Sequence, residues 1–176
     1  MPGTSGTPLP RKLGIKHGHQ VVLLNAPTNF ERSLKVADSV RVSHQLRFAS
    51  ADVVVLFVDS VSDLERRFGE IAERLHPQGG LWVAWRHRSS RRITHDVVKR
   101  IGLAAGMVGN KACAIDAVWA GMRLVVRPEN RDAIAYRIAR PAATTTAPRR
   151  TRRATTPPRI SGAGSAQIRA RARSSR

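Results

Sequence analysis

Apolar residues along this chain fall into two kinds of run. Gln20 to Leu24 (QVVLL), Ala51 to Val58 (ADVVVLFV) and Leu81 to Trp85 (LWVAW) are almost continuous and rich in branched side chains. That is the pattern of strands buried on both faces, as in a parallel sheet. Between the second and third runs, Leu64, Phe68, Ile71, Ala72 and Leu75 recur at helical spacing and predict an amphipathic helix. Polar punctuation sets the boundaries. Thr28 with Glu31, and Ser62 with Glu65, have the spacing of capping boxes; the first predicts a helix reaching about Ala37. His76-Pro77-Gln78-Gly79-Gly80 stops the second helix. Thr94 predicts the cap of a further helix reaching about Ala105, with Gly106 ending it. Val40 to Leu46 alternates weakly, as a minor strand does. Lys111 to Val118 and Gly121 to Arg127 read as strands joined around Trp119-Ala120-Gly121, a link short enough to require an antiparallel hairpin. This succession predicts an α/β domain over residues 11–128, three-layered and Rossmann-like, its mostly parallel sheet ending in an antiparallel hairpin.

The flanks differ in kind. Residues 1–10 are Pro-, Gly- and Thr-rich and read as a flexible lead-in. Residues 129–140 suit a partly docked helix. From Pro141 the chain holds nine arginines, no acidic residue and only Ile160 and Ile168 as large apolar side chains. Too little can be buried to offset the ordering entropy, so a disordered basic tail is expected over 141–176. Charge sharpens the contrast. The net charge is +19, with 19 Lys and Arg against 10 Asp and Glu in residues 1–128, and 12 against 2 in residues 129–176. Arg149, Arg150, Arg152, Arg153, Arg169, Arg171 and Arg173 have no aromatic residue between them, which favours phosphate contact over base stacking. The expected partner of the tail is therefore DNA or RNA, bound with little sequence preference.

A single cysteine, Cys113, rules out an internal disulfide framework, and its alternation with Ala112 and Ala114 suits a small core residue. The six histidines lack ligand spacing, so no metal is expected. No apolar leader segment opens the chain, and its longest apolar run is too short to span a bilayer. A cytoplasmic setting and no membrane partner are the expectation.

Candidate chemistry gathers where a doubly wound sheet receives ligands, beyond the carboxyl ends of its strands. After the LWVAW run comes Arg86-His87-Arg88-Ser89-Ser90, and with Thr94 at the next helix start this loop suits an anion. A pocket there would add Asn25 and Thr28 after the first strand, Asp59 and Ser60 after the next, and Lys111, Asp116 and Trp119 of the hairpin. Polar residues at strand ends are also what any α/β sheet shows. Asp59 suits a general base or a helix cap, and Asp116 a partner for Lys111 or an arginine. Trp82 and Trp85 fall on opposite faces of their strand, each a core residue, while Trp119 is the better contact residue.

Several motifs in order carry a resemblance: Lys12-Leu13-Gly14-Ile15-Lys16-x-Gly18, LLNAP at 23–27, GLWVAW at 80–85, and Lys111-x-Cys113-Ala114-Ile115-Asp116 with Trp119-x-Gly121. Over residues 7–128 the chain resembles a small bacterial family, a domain of unknown function. That family's loop after WVAW reads Pro-Lys-Lys, where this chain has Arg86-His87-Arg88. Arginine keeps the charge but is no proton-transfer substitute for lysine. The layout is also distantly similar to class I methyltransferases. Their signature implies a glycine-rich turn after the first strand and an acid ending the second. Asn25-Ala26-Pro27-Thr28 has no glycine, and Val40 to Leu46 ends without an acid, so no cofactor is expected and S-adenosylmethionine should not bind tightly. The resulting expectation is a non-catalytic α/β binding protein whose tail associates with nucleic acid. The alternatives are an enzyme or sensor for an anionic small molecule at loop 86–94, and a protein interaction module working through Trp119.

Overall fold

The computed structural model describes residues 6–47, 50–87 and 93–133. Six strands form one sheet: β1 (Gln20–Leu24), β2 (Arg41–Ser43), β3 (Ala51–Phe57), β4 (Leu75–Arg86), β5 (Met107–Ala114) and β6 (Trp119–Val126). Their spatial order is β2-β1-β3-β4-β6-β5. The first four run parallel, with Val22 opposite Val54 and Val54 opposite Leu81. The hairpin enters in reverse, β6 lying antiparallel to both β4 and β5. The helices are α1 (Leu9–Leu13), α2 (Phe30–Leu34), α3 (Val61–Arg74) and α4 (His95–Ala104), with a 3₁₀ turn at Pro128–Asn130.

Side-chain parity along the strands divides the core into two layers. Val22, Val54, Leu56, Leu81, Val83 and Trp85 face Leu64, Phe68 and Ile71 of α3 and Val98 of α4. Val21, Leu23, Val53, Val55, Phe57, Trp82 and Ala84 face Leu13 of α1 and Phe30 and Leu34 of α2. Helices thus cover both faces, which is why the central strands read as unbroken apolar runs. Among the described residues no helix is long and apolar enough to cross a membrane.

Several boundaries move from where the sequence put them. The lead-in is helical from Leu9, and Gly14 in the left-handed region (φ 76°) ends that turn. Helix α2 starts at Phe30 after Asn29, with no side-chain cap from Thr28, and stops at Lys35, which takes φ 45°. Helix α3 is capped by Ser60 rather than Ser62: the Ser60 hydroxyl accepts from the Asp63 amide at 3.2 Å and donates to the Asp63 carboxylate at 2.8 Å. A carboxylate at the third position lets cap and side chain satisfy each other, and counted from Ser60 that position is Asp63. His76–Gly80 is not a free turn but a bulged part of β4. Ala51 pairs with Leu75, and pairing resumes at Val53 opposite Gly80. The hairpin turn lies at 115–118, so Trp119 belongs to β6. Asp116 sets that turn by accepting from the Val118 and Trp119 amides at 2.7 and 2.8 Å. Thr94 does cap α4, accepting from the Val97 amide. Of the proposed helix at 129–140, the described part runs to residue 133 and begins with the 3₁₀ turn; the rest, and the whole tail, lie outside the described residues.

Trp82 ties the amino-terminal segment to the sheet. Its indole N–H donates to the Leu13 carbonyl at 2.9 Å, and its ring lies against Gly121, where a Cβ would come within 3.3 Å of the ring and 2.7 Å of Ile115. The indole is wholly buried, so the Leu13 carbonyl has no water to fall back on. Replacing Trp82 by Phe keeps most of the apolar bulk and strands that carbonyl. The expected loss is about 1–3 kcal/mol, read as a lower urea midpoint at unchanged slope. An unchanged midpoint would mean the bond contributes nothing.

Candidate functional site

Strand β1 lies between β2 on one side and β3 on the other, so the chain order reverses around it. Doubly wound folds take their ligands at the carboxyl end of the sheet, at such a reversal. Asn25 sits at this point. It follows the last residue of β1 with φ 54°, a left-handed conformation, and its amide donates to the Phe57 carbonyl at the end of β3 at 3.3 Å. Asparagine is among the few residues that adopt this conformation at modest cost. The turn therefore has the backbone geometry that glycine would give, although no glycine is present.

The end of β2 is similarly supplied from elsewhere. His44 follows β2, and its Nε2 lies 2.6 Å from Glu31 Oε2 of α2. A carboxylate thus stands at the carboxyl end of β2, contributed by the helix after β1. Neither feature is visible as a motif. The signal that could have found the first is the turn preference of Asn before Ala-Pro; the second arises from folding alone.

Beyond β3 and β4, Asp59 and Arg86 form an exposed pair at 3.6 Å, and the Arg86 guanidinium lies 4.9 Å over the Trp119 ring. Arg86 is thus held by a carboxylate and an aromatic face. Under the rim runs an aromatic row, Phe30 to Phe57 at 4.7 Å and Phe57 to Trp119 at 4.9 Å, all edge to face. Trp119 is only 7 % exposed and packs beneath Arg86.

The remaining sequence candidates scatter. Thr28 is exposed ahead of α2, and Ser60 and Thr94 are engaged as caps. Asp116 is engaged in the hairpin turn instead of pairing with Lys111. Lys111 reaches the Lys12 carbonyl at 3.1 Å. Arg88, Ser89 and Ser90 lie outside the described residues, as do the tail arginines. Cys113 is half-buried, and burial pushes its thiol up despite the opposing pull of Lys111 and Lys12.

No family model and no curated protein matches the chain. Solved structures do share its fold. Magnesium protoporphyrin IX methyltransferase from Synechocystis PCC 6803 with bound SAH aligns over 67% of this chain and 78% of its own, at 7% identity and a TM-score of 0.49. A putative type 11 methyltransferase from Sulfolobus solfataricus aligns over 68% and 89%, at 12% identity and a TM-score of 0.46. The fibrillarin pre-rRNA processing protein of Methanococcus jannaschii aligns over 72% of each chain, at 12% identity and a TM-score of 0.41. The likeness is one of fold, the Rossmann-like methyltransferase layout. It corrects the expectation of a non-catalytic binding protein acting through its tail, since the solved chains of this layout include methyltransferases. The other two readings fit no better: Arg86 is already engaged by Asp59 and Trp119, and Trp119 is buried.

Two outcomes follow from the site's geometry. Asn25→Ala should cost about 1–2 kcal/mol through left-handed strain, whereas Asn25→Gly should stay close to the parent in urea unfolding; equal losses would place the cost in the amide bond to Phe57. Cys113 should alkylate slowly with iodoacetamide at neutral pH, its rate rising only above the ordinary thiol range, because burial disfavours the thiolate. A fast reaction at pH 7 would contradict this.

Proposed function

We propose that this chain is an S-adenosylmethionine-dependent methyltransferase whose cofactor lies across the carboxyl ends of β1 and β2. The observation that carries this reading is the left-handed Asn25 at the point where strand order reverses. It removes the objection that the turn after β1 lacks glycine. The sheet order, with a reversed β6 between β4 and β5, is the layout in which such a turn receives an adenosyl group.

The residues present fit the cofactor in a particular way. At the turn after β1 the Asn25 side chain is drawn back to the Phe57 carbonyl, and its left-handed backbone would face the ligand. Glu31, steadied by His44 at 2.6 Å, is a hydrogen-bond acceptor for the two ribose hydroxyls, the role usually taken by an acid ending β2. When bound, the cofactor supplies an electrophilic methyl group. The chain's own part is to position and to exclude water. The Phe30–Phe57–Trp119 row closes the site from below. Asp59, exposed at the same end of the sheet and held by Arg86 at 3.6 Å, is the carboxylate that would receive at its Oδ atoms the proton that a methyl acceptor releases.

Titration calorimetry of the full chain with S-adenosylmethionine and S-adenosylhomocysteine tests this reading. Saturable binding in the micromolar range is expected, and Glu31→Gln should weaken it about tenfold or more, the value of a hydrogen bond to a charged group. No heat from the parent chain at millimolar ligand would overturn the proposal.

A further inference from the structure

The opposite edge of the sheet holds a second site. At the amino ends of the parallel strands is a cavity of about 210 Å³, on the face covered by α1, whose lining includes Lys16, His19, Asp52, His76, Gly79 and Arg123. Arg123 enters from β6, which runs in reverse and so brings a mid-strand side chain to this edge, opposite Trp82 of β4. We propose that this cavity binds a small anion of the phosphate or carboxylate class, with Arg123 as its anchor. The proposal is independent of the methyl-transfer reading, which concerns the other edge of the sheet.

The guanidinium is the reason. Its Nε is buried and has no hydrogen-bond partner, and among the described residues no carboxylate lies within ion-pair distance of it. A half-buried cation in that condition is destabilising unless something completes it. Burial alone pulls Arg123 below its ordinary range, as expected for a charge that has lost water and gained no counter-charge. Space is kept for it by glycine. A Cβ on Gly80 would run into the Arg123 guanidinium, 2.9 Å from its central carbon, and one on Gly79 would sit 2.6 Å from the Asp52 carbonyl oxygen.

Both histidines are set to donate. His19 Nδ1 accepts from the Lys16 amide at 3.2 Å, and His76 Nδ1 accepts from the Gln78 amide at 3.1 Å. With Nδ1 occupied as an acceptor, each neutral ring carries its proton on Nε2 and is a donor there. Lys16 adds a second cation. The one carboxylate, Asp52, already accepts from the Gln20 amide at 2.8 Å through Oδ2. The cavity therefore offers several donors and one partly used acceptor, a balance that suits an anion. Its volume is below the usual range for drug-sized ligands, which limits the occupant to something of the size of phosphate or a short carboxylate.

Amide spectra of the full chain, titrated with inorganic phosphate at constant ionic strength against chloride, test the proposal. Saturating shifts at Gly14, Gly79 and Gly80 are expected. Arg123→Gln should abolish them, and should unfold in phosphate-free buffer no more easily than the parent, because it removes a half-buried charge that has no counter-charge. Lys16→Gln, an exposed change that leaves the fold alone, should weaken phosphate about tenfold or more. Shifts that grow without saturating, or that fall elsewhere, with phosphate and with short carboxylates alike would overturn the proposal and leave a water-filled void. Should Arg123→Gln fail to fold, unchanged phosphate affinity in Lys16→Gln would overturn it equally. Saturation by short carboxylates but not by phosphate would keep the site and identify the source as an organic acid.

Discussion

The bond from the Trp82 indole to the Leu13 carbonyl ties the amino-terminal helix α1 to the core of the sheet. It spans 69 residues and fixes α1 over the middle of the sheet, completing the second core layer. Because α1 is a helix of only five residues, it has little stability of its own and depends on this docking. Gly14 then turns the chain away, and residues 16–19 pass along the amino edge before β1 begins. Without that anchor the face of the sheet carrying Trp82, Val53 and Val55 would be open on one side, and the cavity beside Arg123 would lose part of its wall.

The two edges of the sheet have opposite chemistry for one topological reason. Parallel strands gather their carboxyl ends at one edge, where Asn25 follows β1, Asp59 follows β3 and Arg86 ends β4. The reversed β6 breaks that polarity. It places Trp119 at the carboxyl edge, under Arg86, and Arg123 at the amino edge, against Gly80. One strand inserted backwards thus puts an aromatic ring at one end of the sheet and a cation at the other.

The fold was legible because its strands are buried on both faces. Runs such as ADVVVLFV have few other structural uses, and the parity of Trp82 and Trp85 followed directly from the strand period. Boundaries were less legible. Ser60 and Ser62 are both plausible caps, and only the reach of Asp63 decides between them. The hairpin turn was misplaced because Asp116, read as a pairing carboxylate, acts on the backbone instead. The site was least legible. A left-handed asparagine is not a glycine motif, and the carboxylate at the end of β2 arrives from α2 through the contact of Glu31 with His44. Arg123 reads in the sequence as one polar residue in an apolar strand, and its meaning depends on the glycine opposite it.

The central claim is that an adenosyl group lies between the Asn25 turn and Glu31. A crystal structure of the full chain with S-adenosylhomocysteine tests it most directly. The account predicts density for the adenosyl ribose within hydrogen-bond distance of Glu31 and beside residues 25–28. Ligand density anywhere else on the chain, or an open carboxyl edge at saturating ligand, would contradict it.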